Sequence, residues 1–139
     1  MLIGEFRPTI DTKGRLNFPS KLREDLGEEF IITKGLDNCL CVYPMPEWEK
    51  LERRISELPS SKSRNLQRFF FASATKAQID SQGRLLVPQA LREYASLKKD
   101  VTVIGASIRA EIWDSENYDN IMSGLTSEAI EEAMDELGF

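Results

Sequence analysis

The first apolar positions form a strand-like run, Leu2 to Phe6, which Pro8 ends. Leu16-Asn17-Phe18 alternates as a half-buried strand does. Leu22 and Leu26 then stand one helical turn apart, which predicts a short helix over about 20–26, with Pro19 fitting its first turn and Gly27 stopping it. Phe30 to Thr33 and Leu40 to Tyr43 read as two strands on either side of Gly35-Leu36-Asp37-Asn38, a turn-forming group. Pro46 opens a longer helix with Trp48, Leu51, Ile55 and Leu58 along one side, and Pro59-Ser60-Ser61 interrupts it. A second helix over about 63–74 carries Arg64, Arg68 and the run Phe69-Phe70-Phe71. Three consecutive aromatics cannot share one helix face, so at least one of them is expected to meet another element or another chain.

The same order of patterns then recurs: a strand over 75–79, another over 85–87, a helix over 89–94, and strands over 101–104 and 109–113. Asp114 is placed to cap a helix carrying Tyr118, Ile121 and Met122. The recurrence is also one of identity. A shift of 69 positions superposes Ile10, Asp11, Gly14, Arg15, Leu16, Pro19, Leu22, Arg23 and Glu24 on Ile79, Asp80, Gly83, Arg84, Leu85, Pro88, Leu91, Arg92 and Glu93. With one extra residue allowed, Gly35 matches Gly105, Val42 matches Ile112, Tyr43 matches Trp113 and Trp48 matches Tyr118. Such self-similarity marks one structural unit used twice, two half-domains expected to share a single core. Beyond the repeat, Ile130, Ala133, Met134 and Leu137 make an apolar stripe opposite Glu131, Glu132 and Asp135. That acidic amphipathic tail is expected to pack on something.

Composition narrows the classes. A chain of 139 residues that is 41% apolar can build one core without disulfides or metal. Met1 to Glu5 has none of the sections of a signal peptide, and no apolar run reaches the roughly 18 residues of a membrane helix, so a soluble cytoplasmic protein is expected. Cys39 and Cys41 are the only cysteines and fall on one face of a strand. Without any histidine they are too few for an ordinary zinc site, so free thiols and no metal or other cofactor are expected. The absence of histidine also excludes Ser-His-Asp and Cys-His nucleophile arrangements. No glycine-rich phosphate loop occurs, and nothing recommends an enzyme or a small-molecule substrate. The net charge of −5 is unevenly spread: all 18 basic residues precede Ala110, and from Ala110 to Phe139 only acids carry charge. A basic face can therefore coexist with an acidic whole.

The chemistry of the repeated segment lies in Asp11-Thr12-Lys13-Gly14-Arg15 and Asp80-Ser81-Gln82-Gly83-Arg84. The Asp side chain can accept backbone N–H groups two residues on, and glycine takes positive φ without steric cost, so each segment is a turn that presents an arginine. Two such turns make a site with internal two-fold symmetry. Duplex DNA has local two-fold symmetry, and the arginine fork suits phosphate or guanine O6 and N7. Arg7, Lys21, Arg23, Lys76 and Arg92 are further candidates for phosphate contact. Spacing alone leaves open a second reading, in which Asp11 with Arg15 and Asp80 with Arg84 are ion pairs that merely hold the loops.

Asp-x-x-x-Arg twice, each time followed by an apolar strand, Pro and Leu-Arg-Glu, resembles the MraZ family. The start Met1 to Phe6, the linker Arg68-Phe69-Phe70-Phe71-Ala72 and the hairpins extend the resemblance over nearly the whole chain except the acidic tail. It implies an α+β fold: a pseudo-two-fold, AbrB-like swapped-hairpin β-barrel from two tandem repeats, with helices packed around it. The expected division is a first repeat over 5–47, a helical connection over 48–75, a second repeat over 76–119 and an acidic C-terminal helix over 120–139. The resemblance further implies a nucleoid-associated regulator that forms homo-oligomeric rings. Its partner would be double-stranded DNA, as repeated promoter boxes upstream of its own division and cell-wall operon, which it mainly represses. The family's DNA-contacting residues fall on Asp11, Lys13, Gly14 and Arg15, and on Asp80, Gly83 and Arg84. Gln82 stands where the first copy has Lys13, so the copies need not contribute equally. The competing reading is an AbrB-type scaffold or antitoxin-like module acting through a protein partner.

Overall fold

The strands assemble across the repeat boundary rather than within it. The computed structural model describes residues 1–139. Strand β1 (Leu2–Phe6) pairs with β7 (Val101–Ser107), and β7 with β8 (Ala110–Asp114), both antiparallel. In the other half, β3 (Phe30–Lys34) pairs with β4 (Leu40–Pro44), and β5 (Thr75–Ala77) adds to β3. Each repeat thus lends its leading strand to the other repeat's hairpin. The hairpins join through β4 and β8, with Leu40 opposite Ile112, giving the order β1-β7-β8-β4-β3-β5. That order reads the same from either end once each strand is replaced by its repeat counterpart, so a pseudo-two-fold axis runs between β4 and β8.

A separate two-stranded ribbon, β2 (Arg15–Asn17) with β6 (Arg84–Leu86), joins the two repeated segments directly. Leu16 and Leu85 face each other at its centre and are buried. They enter a core with Phe18, Val87, Leu22, Leu91, Phe30 and Ile112, to which both repeats contribute. Full burial of each such side chain stabilises the fold by roughly 1.5–3 kcal/mol. The expected α+β class therefore stands, as a mixed chain with an antiparallel sheet. The hydrogen-bonded ladder ends at β1 and β5, and no continuous closed barrel is formed.

The helices are α1 (Ser20–Leu26), α2 (Met45–Ser56), α3 (Ser60–Leu66), α4 (Gln89–Tyr94), α5 (Ser115–Ser123) and α6 (Ser127–Glu136). Several boundaries differ from the sequence reading. Pro19 and Pro88 sit one step before α1 and α4, in extended geometry at the cap position, because a proline ends the preceding strand as readily as it starts a helix. The helix expected over 63–74 starts at Ser60 and widens into a π-helical segment, Gln67–Phe71. The wider turn sends Phe70 and Phe71 onto the cluster of Ile31, Tyr43 and Trp48, while Phe69 meets Tyr94 edge to face. It also leaves the Phe70 carbonyl to accept from the buried Thr33 hydroxyl at 2.6 Å. Strand β5 is shorter than expected and β7 longer, because β1 templates β7 as far as Ser107.

Asp114 caps α5, its carboxylate accepting from the Asn117 N–H at 3.2 Å. Helix α6 forms as expected, with Thr126 as its cap, but none of its residues is buried. No helix is long and apolar enough to cross a membrane.

Candidate nucleic-acid interface

Both repeated segments fold into the same turn. Asp11 Oδ1 accepts from the backbone N–H of Lys13 and Arg15, both at 2.9 Å, and Asp80 Oδ1 from those of Gln82 and Arg84 at 2.9 and 2.8 Å. Gly14 and Gly83 take φ of 87° and 80°, the left-handed geometry the turn requires. The second carboxylate oxygen of each Asp accepts from Nε of its own arginine, at 2.8 Å for Arg15 and 3.0 Å for Arg84. The backbone N–H of Arg15 foremost, with its side chain and the Lys13 N–H after it, holds Asp11 below its ordinary value; Arg84 and Gln82 do the same for Asp80. Both carboxylates are thus fixed as anions.

The ion-pair reading and the presentation reading are therefore compatible. Asp binds each guanidinium through Nε alone, and neither terminal nitrogen of Arg15 or Arg84 donates to a protein acceptor. The arginines are about one-third exposed, 33% and 29%. The ribbon register puts them on one face: Arg15 lies opposite Leu86 and Asn17 opposite Arg84, while Leu16 and Leu85 point into the core. Arg15 and Arg84 are diagonal neighbours, roughly 7–8 Å apart at Cα by ladder geometry. Asn17 and Leu86 complete this exposed face. Neither was expected at the site, although continuing the alternation outward from Arg15 reaches Asn17.

Arg23 and Arg92 are placed differently from the other candidates. Each packs against the glycine of the opposite repeat. Arg23 donates to the Phe18 and Gly83 carbonyls at 2.9 and 3.2 Å, and Arg92 to the Val87 carbonyl at 3.0 Å. A β-carbon on Gly14 would lie 2.7 Å from Arg92 Nε, and one on Gly83 would lie 2.5 Å from Arg23. The glycines are needed for space as well as for φ. The Phe18 N–H donates to Gly83 O at 3.0 Å and the Val87 N–H to Gly14 O at 2.8 Å, tying each turn to the opposite strand.

Of the remaining candidates, Lys13 and Lys21 are exposed and have no ion-pair partner. Lys76 lies 3.8 Å from Glu29. Arg7 is held by Asp119 at 2.7 Å and Glu5 at 3.2 Å; these hydrogen bonds, Asp119 first, raise its already high pKa.

Away from the ribbon, Cys39, Cys41 and Glu111 bring possible metal-ligand atoms within 4.8 Å of one another. All have partners already. Glu111 accepts from Arg109 at 2.9 Å and from the Trp113 indole at 3.0 Å, and the Cys39 thiol donates to the Leu36 carbonyl at 3.1 Å. The hydrogen bond with Cys41, and burial after it, hold the Cys39 thiol well above its ordinary pKa.

Fold and site together define a single-chain, tandem-repeat α+β protein whose two repeats meet in one pseudo-two-fold arginine ribbon. The chain belongs to the MraZ family, described as "MraZ protein, putative antitoxin-like", and it matches that family twice, over residues 1–69 and 70–137. It is 51% identical to the transcriptional regulator MraZ of Caldicellulosiruptor saccharolyticus over 142 residues, 99% of each chain. It is 48% identical to the protein of the same name in Acetivibrio thermocellus, again over 99% of each. With that of Heliobacterium modesticaldum it shares 52% over 120 residues, 85% of this chain and 84% of the relative.

Proposed function

We propose that this chain is a DNA-binding transcriptional regulator, not an enzyme, that represses its own division and cell-wall operon by binding repeated promoter boxes. One observation carries the reading: two arginine forks, each anchored at Nε with both terminal nitrogens free, lie on one exposed face about a two-fold axis. A duplex has a matching local two-fold, and a free arginine fork is shaped for guanine O6 and N7 or for phosphate. The name shared by relatives of nearly equal length, transcriptional regulator, supports it.

In this reading Arg15 and Arg84 contact the bases, Asp11 and Asp80 orient them, and Gly14 and Gly83 supply the positive φ of the turns that present them. Lys13 supplies phosphate contact with Lys21, while Arg7, Arg23, Lys76 and Arg92 would first have to leave their present partners. Asn17 and Leu86 add a hydrogen-bonding and an apolar contact, which makes the two half-sites unequal. The ribbon and the open sheet pack on one shared core in an AbrB-like arrangement of exchanged strands, with the repeat boundaries expected above, and the protein works in the cytoplasm at the nucleoid as a homo-oligomeric ring. A ring presents several ribbons to repeated boxes, so affinity gains from effective concentration.

The test is binding to the DNA upstream of the operon against a shuffled sequence of equal composition, over a salt series. Specific binding that weakens on Arg15→Ala and Arg84→Ala is expected, with a salt slope of about −0.9 per phosphate contacted. Equal, salt-labile binding to both DNAs would reduce the protein to a non-specific nucleoid component. Binding to neither would favour the second reading, an antitoxin-like module acting on a protein partner, for which the family description is the specific support.

A further inference from the structure

We infer that α6 is one half of a contact between two copies of this chain, and that α3 with the π-helical segment of the next copy is the other half. The inference deepens the assembly part of the proposed function and rests on it. Helix α6 leaves a continuous apolar stripe in solvent: Ile130, Met134 and Leu137 are 46%, 39% and 70% exposed. A surface helix with a one-sided stripe is stable when something covers that stripe.

The internal repeat shows where the cover is missing. Tyr43 and Trp48 of the first repeat correspond to Trp113 and Tyr118 of the second, and both ring pairs have centroids 5.6 Å apart. Over the first pair the π-helical segment lays Phe71, 5.0 Å from Trp48 and edge-on. The segment at the equivalent place after the second pair is α6, which lays down nothing. The stretch around it offers no basic partner, because from Ala110 to Phe139 the chain carries acids and no Lys or Arg.

Charge identifies the occupant. Glu128, Glu131, Glu132, Asp135 and Glu136 on α6 have no ion-pair partner, and no basic residue occupies its last turn, where the helix dipole favours cations. From Leu58 to Ile79 the chain is the converse: it has no acid, and it carries Lys62, Arg64 and Arg68, all exposed and unpaired, beside half-buried Leu66 and Phe69. An acidic stripe and a basic ridge on different parts of one molecule make a heterologous contact. Such contacts add head to tail until a ring closes.

The test uses full-length protein and its solution mass by light scattering. Glu131→Lys, Glu132→Lys and Asp135→Lys together, or Lys62→Glu, Arg64→Glu and Arg68→Glu together, should each reduce the assembly to the mass of one chain, 15.8 kDa. All six positions are exposed, so circular dichroism should be unchanged. Mixing the two purified variants should restore assembly, because each reversed surface then faces an opposite one. An assembly that survives both sets, or one that mixing does not restore, overturns the inference while leaving the ring itself standing. A wild-type protein that is monomeric overturns both, and leaves the Arg15 and Arg84 test of DNA binding untouched.

Discussion

Arg15 and Arg84 are each held at one nitrogen and open at two, and the consequences differ for the two partners of each pair. Replacing either arginine with Ala should lower affinity for specific DNA by roughly 5- to 150-fold, since a good bidentate contact supplies about 1–3 kcal/mol of discrimination. Thermal stability should barely move, because both side chains are partly exposed; gel-shift and melting curves on the same preparations separate the two. For Asp11 and Asp80 the folded pKa lies below the ordinary 3.8, so the unfolded chain binds protons more readily. Their contribution is fully present above that value and is lost as pH falls through the folded one. Melting temperature measured downward from pH 5 should therefore drop less steeply in the Asp11→Asn, Asp80→Asn variant than in the wild type. The geometry of the turn was legible in the sequence because the Asp-x-x-Gly-Arg pattern is local chemistry. Arg23 and Arg92 were not, because whether a basic side chain meets solvent or a carbonyl depends on what the fold lays beside it.

The ribbon of β2 and β6 is the element on which the site depends, and it is only three residues wide on each side. Its strands lie far apart in the chain, so no turn sets their register. Burial of Leu16 and Leu85 sets it instead, since a slip by one residue would turn both leucines to solvent and both arginines inward. Gly14→Ala should cost roughly 1–3 kcal/mol through its positive φ alone, and more from the clash with Arg92. Urea denaturation should show the loss, and DNA affinity should fall with it, unlike the arginine variants, in which only affinity falls. The π-helical segment shows the reverse relation between pattern and structure. Phe69-Phe70-Phe71 marks the place where a regular helix cannot satisfy three neighbouring rings, but the widened turn is chosen by the Trp48 and Tyr94 surfaces and the Thr33 hydroxyl that receive it.

The two repeats share one core and exchange their leading strands, so neither half holds a complete set of partners. A fragment of residues 1–69 should show no cooperative monomeric unfolding, and mixing it with 70–139 should recover a single transition, measured by circular dichroism. Independent folding of the first fragment as a monomer would contradict the strand exchange. The duplication, the helix and strand periods, the turn chemistry and the segregation of charge are properties of neighbouring or repeated residues, and the amino-acid order determines them. Tertiary structure alone decided that β2 pairs with β6, that Asn17 and Leu86 share a face with the arginines, and that Arg23 and Arg92 brace the opposite turns. It alone decided that α6 ends with its stripe uncovered. The physical reason is one of range: periodicity and turn preference act over a few residues, whereas register, burial and ion-pair choice depend on which distant surfaces the shared core brings together.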